Sequence, residues 1–242
     1  MARMDEVNAG VVQQQDGRDT ARQTAVQLRP SRSINVRALK VEPVPASTVA
    51  ILVTQNHYLH SMPLAAWACF GVYVNQTLHG AIVFSAGARH SHRVLTACDP
   101  KYVATLARFW LSDDCPKNAE SRVLGYVLRY LRRQGRWKLL VSHADPNVGH
   151  HGTIYRASGW HYLGQGTPCS TIEVEGKSLH PRSMFARFGT TAIRSLHHRG
   201  IAATRSYVPG KHRFIYLLDP SWRWRLTKPI VPSRSTNSAA LL

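Results

Sequence analysis

Strands alternating with helices predict an α/β (α+β) fold with a mixed, partly parallel sheet flanked by helices. Three observations carry that expectation. Two β-rich runs, 67–74 and 78–85, are joined by Asn75-Gln76-Thr77, a hairpin signal. Leu124, Val127, Leu128 and Leu131 recur at i, i+3, i+4 and i+7, the apolar stripe of a helix. Apolar residues make up 44% of the 242-residue chain, enough for a packed core and too many for a wholly disordered protein.

In chain order, the hairpin is followed by a third strand at 103–111. Pro116-Lys117-Asn118 then precedes the amphipathic helix, with Asn118 as its expected N-cap. Gln134-Gly135 closes that helix. A strand follows at 137–143, a short helix at 149–158 and a further strand from 160. Residues 1–34 and 232–242 are polar and read as flexible tails. Between them the expected division is a catalytic core at 35–175 and a basic, aromatic-rich extension at 176–231.

Charge is the dominant compositional fact: 31 Lys+Arg stand against 13 Asp+Glu, a formal +18. Such a balance favours a polyanionic partner, nucleic acid before an anionic membrane surface. Basic residues of the extension, among them Arg205, Lys211, Arg213, Arg223 and Arg225, interleave with aromatics and are expected to hold nucleic acid. Trp222-Arg223-Trp224-Arg225 alternates, so an extended segment there would place rings on one face and cations on the other. Charge reversal at Arg223 and Arg225 would then flatten the salt dependence of binding. The four cysteines form no CxxC pair and read as reduced thiols. No apolar run is long enough to span a bilayer, and the N-terminus lacks a secretory core, so a cytoplasmic protein is expected.

Three segments could carry chemistry. Asn56-His57-Tyr58-Leu59-His60-Ser61-Met62-Pro63 packs imidazoles, a phenol and a hydroxyl together; these suit proton transfer or metal ligation, or simply cap nearby backbone. The junction from Arg108 to Ser121 places Lys117, Asn118 and Ser121 at a helix start, where free N–H groups attract phosphate; an ordinary capped helix is the plainer reading. His143-Ala144-Asp145-Pro146 leads to His150, His151 and Tyr155 beyond a strand end, where α/β sheets collect ligands; alternatively Asp145 bonds its own turn.

These segments, in this order and joined by Phe70-Gly71-Val72-Tyr73 and Gly80-Ala81-Ile82-Val83-Phe84-Ser85, resemble the Mom DNA-modification proteins of Mu-like bacteriophages. The likeness covers roughly 35–175. It implies a GCN5-related N-acetyltransferase-like fold and a DNA adenine-modifying transferase. The reaction would convert adenine in double-stranded DNA to N6-carbamoylmethyl (methylcarbamoyl) adenine, an anti-restriction modification, inside the host bacterium's cytoplasm. The target adenine would be flipped from the duplex.

The implied catalytic residues are Tyr58, Arg108, Ser121, Asp145 and Tyr155, with His57 adjacent and Tyr73 a further candidate. Arg108, Lys117, Asn118 and Ser121 would bind acetyl-CoA, although the chain has Lys117-Asn118-Ala119-Glu120-Ser121 where that fold keeps a glycine-bearing turn. Plain acetyl transfer would give an amide, not the family's alkylated amine, so a further step or donor is implied. His57, Tyr58 and Asp145 are chemically suited to iron. Two rival readings are an ordinary acetyl-CoA-dependent N-acetyltransferase on a protein or small amine, and a non-catalytic DNA-binding protein.

Overall fold

The computed structural model describes residues 34–232, except 88, 89 and 180. The two expected tails thus lie almost wholly outside the described residues.

The elements run β1 (Lys40–Val44), α1 (Ala46–Asn56), β2 (Ala66–Val74), β3 (Thr77–Ser85), β4 (Val103–Leu111), α2 (Ala119–Gln134), β5 (Leu139–Ala144), α3 (Thr153–Ala157), β6 (His161–Gln165), β7 (Cys169–Val174), β8 (Lys177–Leu179), α4 (Pro181–Phe188), α5 (Ile193–His198), β9 (Ala203–Val208) and β10 (His212–Leu217). Seven strands form one mixed sheet in the order β1-β2-β3-β4-β5-β10-β6. The expected mixed α/β architecture is what the chain adopts, and the hairpin at 66–85 pairs as predicted.

α2 forms because its apolar stripe can be buried. Val123, Leu124, Val127, Leu128 and Leu131 lie in the core against Phe70, Phe84 and Leu140. Gly135 ends the helix in the left-handed region, at φ 66°, as its sequence suggests. The start differs from expectation. Asn118 sits at the N-cap position but is itself left-handed (φ 70°), and its side chain caps nothing. Instead Ser121 Oγ donates to the Asn118 carbonyl. The expected helix at 149–158 shrinks to α3, because Gly149 and Gly152 both take positive φ and hold the preceding segment as a turn.

The expected boundary at 175/176 cuts through the sheet. β10, from the supposed extension, pairs antiparallel with β5 on one side and β6 on the other. Its Phe214 and Ile215 are fully buried, which is why it belongs to the core. The separate piece is shorter: β7, β8 and β9 form their own three-stranded sheet. With α4 and α5 this piece closes over a small core of Ile172, Val174, Met184, Leu196 and Ala203. It is an insertion between the neighbouring strands β6 and β10.

Residues 220–225 are also corrected. Asp219 Oδ1 accepts from the Ser221 N–H and caps a 3-10 turn over Pro220–Arg225, so the Trp-Arg alternation does not become two faces. Arg225 lies over the Trp222 ring, 4.4 Å from its centroid, and donates to the carbonyls of Thr96 and Ala97.

β4 and β5 are the one parallel pair of the sheet, and they position the site. Their ladder ends at Leu106↔Ser142. Beyond it β4 follows β3 as far as Leu111, while β5 follows β10 to Ala144. The sheet therefore opens there.

Candidate active site at the strand opening

A cavity of about 360 Å³ fills this opening, at the lower end of the range for small-molecule sites of about 300–1,000 Å³. Phe109 and Trp110 of β4 and His143 of β5 line it, with His57, Tyr58 and Tyr155 facing from elsewhere. A second cavity of about 330 Å³ runs along the start of α2; Leu111, Glu120, Thr153 and Ile154 belong to both, so the two form one continuous groove.

Tyr155 is carried in by α3, whose first residue follows Gly152. A Cβ on Gly152 would stand 2.2 Å from the Phe214 ring, so only glycine lets α3 approach β10 this closely. The Tyr155 ring packs on Trp160 and Phe214. Its hydroxyl meets Ser142 Oγ, which donates to it at 2.8 Å and also lies 3.2 Å from the Leu106 carbonyl. Ser142 has one proton, so it serves these two acceptors alternately. Burial pushes the Tyr155 phenol up to about 12.

His57 ends α1 and is 6% exposed. Its Nδ1 accepts from the Leu59 N–H at 3.1 Å. Burial, with the Arg108 charge beside it, lowers its pKa to about 4, so the ring is neutral at physiological pH. Tyr58 follows, its ring edge against His150. Burial raises the Tyr58 phenol, while the Lys211 charge opposes that shift. His143 is likewise held near 4, by burial and by Arg213 and Lys211.

Asp145 stands at the end of β5. Its Oδ1 accepts from the Asn147 backbone and side-chain amides, at 3.0 and 2.9 Å. Its Oδ2 pairs with Lys211 Nζ at 2.8 Å. Burial alone would raise its pKa, but the Lys211 and Asn147 contacts outweigh burial and hold it below the usual carboxylate range. The self-bonding turn is therefore realised on Oδ1, while Oδ2 is held by Lys211.

The structure brings Tyr58 and Tyr155 to one end of the groove, and Lys117, Asn118 and Ser121 to the other; Asp145 does not line it, and its charge reaches the groove through Tyr58. Arg108 departs from its expected place as an anion clamp. Its Nε and Nη2 donate to the Ser61 carbonyl and hydroxyl, and Nη1 to the Ala107 carbonyl, so it pins the His57–Ser61 loop to β4. Tyr73 lies on β2, whose side chains do not line the groove. Lys211, expected on nucleic acid, is spent on Asp145. Arg205 donates to the Thr191 carbonyl. Arg213 on β10 faces His143 across the ladder.

The expected iron set does not fit. The Asp145 oxygens and His57 Nδ1 are already engaged, two cations stand beside them, and among the described residues no group of three His, Cys, Asp or Glu could hold a metal ion. Sequence reasoning passed over Ser142. Its one signal was a hydroxyl inside the otherwise apolar run Leu139-Leu140-Val141-Ser142.

A family model described as the Mom protein family matches residues 38–235. The Methylcarbamoylase mom of Escherichia phage Mu is 25% identical over 197 residues, covering 78% of this chain and 80% of the relative. Among solved structures, an acetyltransferase from Salmonella typhimurium with its cofactor acetyl-CoA aligns with TM-score 0.45 at 11% identity, over 76% of this chain and 95% of its own. The N-acyl amino acid synthase FeeM, from uncultured soil microbes, aligns with TM-score 0.43 at 14% identity, over 78% and 95%.

Proposed function

The chain belongs to the Mom protein family, and from that premise we propose that it is a transferase that converts adenine in double-stranded phage DNA to its N6-carbamoylmethyl derivative and so shields the DNA from restriction endonucleases. The relative from phage Mu bears the name methylcarbamoylase, which supports this product. The observation that carries the reading is one continuous groove with the protonated Tyr155 and the Asp145-influenced Tyr58 lining one end and Lys117, Asn118 and Ser121 lining the other.

An adenine turned out of the duplex would enter the cavity at the strand opening, at a cost of a few kcal/mol for unstacking. Trp110 and Tyr58 line that cavity and offer flat apolar surface to the base. Asp145, ionised and held by Lys211, is too weak a base to strip the exocyclic amine. With Oδ1 on Asn147 and Oδ2 on Lys211, it instead sets the charge beside Tyr58, which does line the cavity. Tyr155 keeps its proton at neutral pH and can pass it to a leaving group in the groove. Ser142 can then turn its single proton from Leu106 to the phenolate and stabilise it. The neutral rings of His57 and His143 line the same space without adding charge.

The other half of the groove suits a phosphate-bearing cofactor such as acetyl-CoA. The first-turn N–H groups of α2 have no partner in the helix, and Lys117 adds a cation. Glu120 and Asp113 line the same stretch and oppose an anion there, so a pyrophosphate would have to sit toward Lys117. When bound, an acyl-coenzyme A would supply an acyl group as a thioester, which by itself gives an amide at N6; the carbamoylmethyl product needs a further donor for its carboxamide nitrogen and another bond-forming step.

The test is expression of the chain and of an Asp145→Ala variant in a bacterial host, followed by digestion of host DNA to nucleosides and mass spectrometry. A carbamoylmethyl-deoxyadenosine present with the parent chain and absent with the variant is expected. An acetyl-deoxyadenosine would replace the reading with simple acyl transfer. No new nucleoside from folded protein would favour an N-acetyltransferase on amines or a non-catalytic DNA-binding protein.

A further inference from the structure

The inserted piece between β6 and β10 has no part in the groove, and from Gly176 on, together with the start of β10, it forms a long basic stretch free of acids. Between Glu175 and Asp219 there is no acidic residue, while Lys177, Arg182, Arg187, Arg194, Arg199, Arg205, Lys211 and Arg213 recur at near-regular intervals. A solvated surface of ordinary composition mixes both signs. A row of cations without acids matches a polyanion with regularly spaced charges.

The placement of these cations follows from the small core. One face of the β7-β8-β9 sheet is covered by α4 and α5 through Met184 and Leu196. Burying Leu196 turns Arg194 and Arg199 outward, and both are exposed. Arg199 is held by a hydrogen bond to the Phe188 carbonyl, and Arg187 lies over the Phe188 ring and 4.0 Å from the exposed Glu175 carboxylate, with more than half its own side chain exposed. Both guanidinium groups are thus partly fixed, which lowers the entropy lost when they meet a phosphate.

The neck of the insertion is rigid and stands on the site. Gly166 N–H donates to the Lys211 carbonyl, and a Cβ on Gly210 would lie 2.2 Å from the Gly166 carbonyl oxygen, so the two chain segments touch backbone to backbone. Asn147 Nδ2 donates both to Asp145 and to the Pro209 carbonyl, and Lys211 pairs with Asp145. The surface and the groove are therefore joined through the residues that hold Asp145.

We infer that the outer surface of α4 and α5, with Arg187, Arg194 and Arg199, is the platform that grips the phosphates of the target duplex beside the groove. The inference rests on the proposed action on double-stranded DNA. It puts the principal contact on the insertion, apart from the 220–225 segment, where Arg225 lies between the Trp222 ring and the Thr96 and Ala97 carbonyls.

The test is binding of the full chain to a labelled duplex oligonucleotide across a salt series. Arg187→Gln/Arg194→Gln is compared with Lys101→Gln/Arg133→Gln, which removes the same charge elsewhere. The platform variant should lower the slope of log K against log salt by about two, at about 0.9 per phosphate contact, while the comparison variant keeps the parent slope. Thermal melting of each variant separates lost contacts from lost folding, and Arg194→Lys should keep most of the slope. Equal slopes for all variants, or equal losses in both double variants, would overturn the platform. Its failure alongside a modified deoxyadenosine in cells would leave the reaction standing. A lowered platform slope without any modified nucleoside would do the reverse.

Discussion

The two sides of the reacting end solve opposite problems with one physical device. On the Tyr155 side, burial acts without a nearby opposite charge, and it keeps the phenol protonated up to about 12 and the His57 ring neutral down to about 4. On the Asp145 side, burial meets Lys211 and two amides of Asn147, and the carboxylate stays ionised. Burial alone does not decide protonation. The presence of a partner does. A dry groove lining and a charged pair just outside it can keep a phenol protonated and a carboxylate ionised at the same pH.

The sharpest way to break that contrast is Tyr155→Phe, which keeps the ring contacts with Trp160 and Phe214 and removes only the hydroxyl. Formation of the modified nucleoside should fall by about 10²- to 10⁴-fold with unchanged melting; a yield within a few-fold of the parent would remove Tyr155 from the chemistry. Gly152→Ala attacks the same wall through packing. Its Cβ would meet the Phe214 ring at a backbone angle that disfavours side chains, so unfolding in urea should lose about 2–4 kcal/mol. An unchanged midpoint would mean that α3 can shift away at no cost.

The neutral histidines set the pH response. Their pKa lies near 4 in the folded chain against an ordinary 6.5. As pH falls through 6.5 the unfolded chain gains protons that the folded chain refuses, so stability is full above that range and declines between about 6.5 and 4. Asp145 adds in the same direction only further down, as pH falls through its depressed folded value. The urea midpoint should drop between neutral pH and about pH 4, and less steeply in His143→Gln; a flat profile would contradict the burial argument. The smallest effect is expected from Asn147→Ala. It leaves Lys211 on Asp145 and removes two side-chain hydrogen bonds, for about 1–2 kcal/mol. A larger loss would show that the amide, more than the lysine, holds the carboxylate.

Much of this was legible in local pattern. The hairpin, β4, α2 and the Gly135 cap follow from alternation, helical periodicity and one glycine. Of the residues named from the family likeness, Tyr58 and Tyr155 line one cavity end, and Asp145 lies outside its lining. What local pattern could not carry is long-range pairing. Nothing near residue 212 says that its strand will slot between two strands from 139–165, so the core seemed to end at 175. Lys211 reads as one more cation in a basic run until its neighbour across 66 residues of chain, Asp145, is seen. Arg108 likewise finds Ser61 only through the sheet. The 222–225 alternation misled because Asp219-Pro220 starts a 3-10 turn, a stronger local signal than alternation over four residues.

The central place of β10 also bears on how the chain is made. Synthesis proceeds from the N-terminus, so β5 and β6 emerge before their shared partner exists. Until residue 217 has left the ribosome, two strand edges of the main sheet carry unpaired amides and carbonyls. The insertion, whose core is formed by residues 172–203, can fold on its own contacts during that wait. It then brings the ends of its neck together and shortens the loop that β10 must close. A nascent chain stalled anywhere before β10 would present a main sheet that stops at β5 with β6 unattached, and β10 is the strand that joins them.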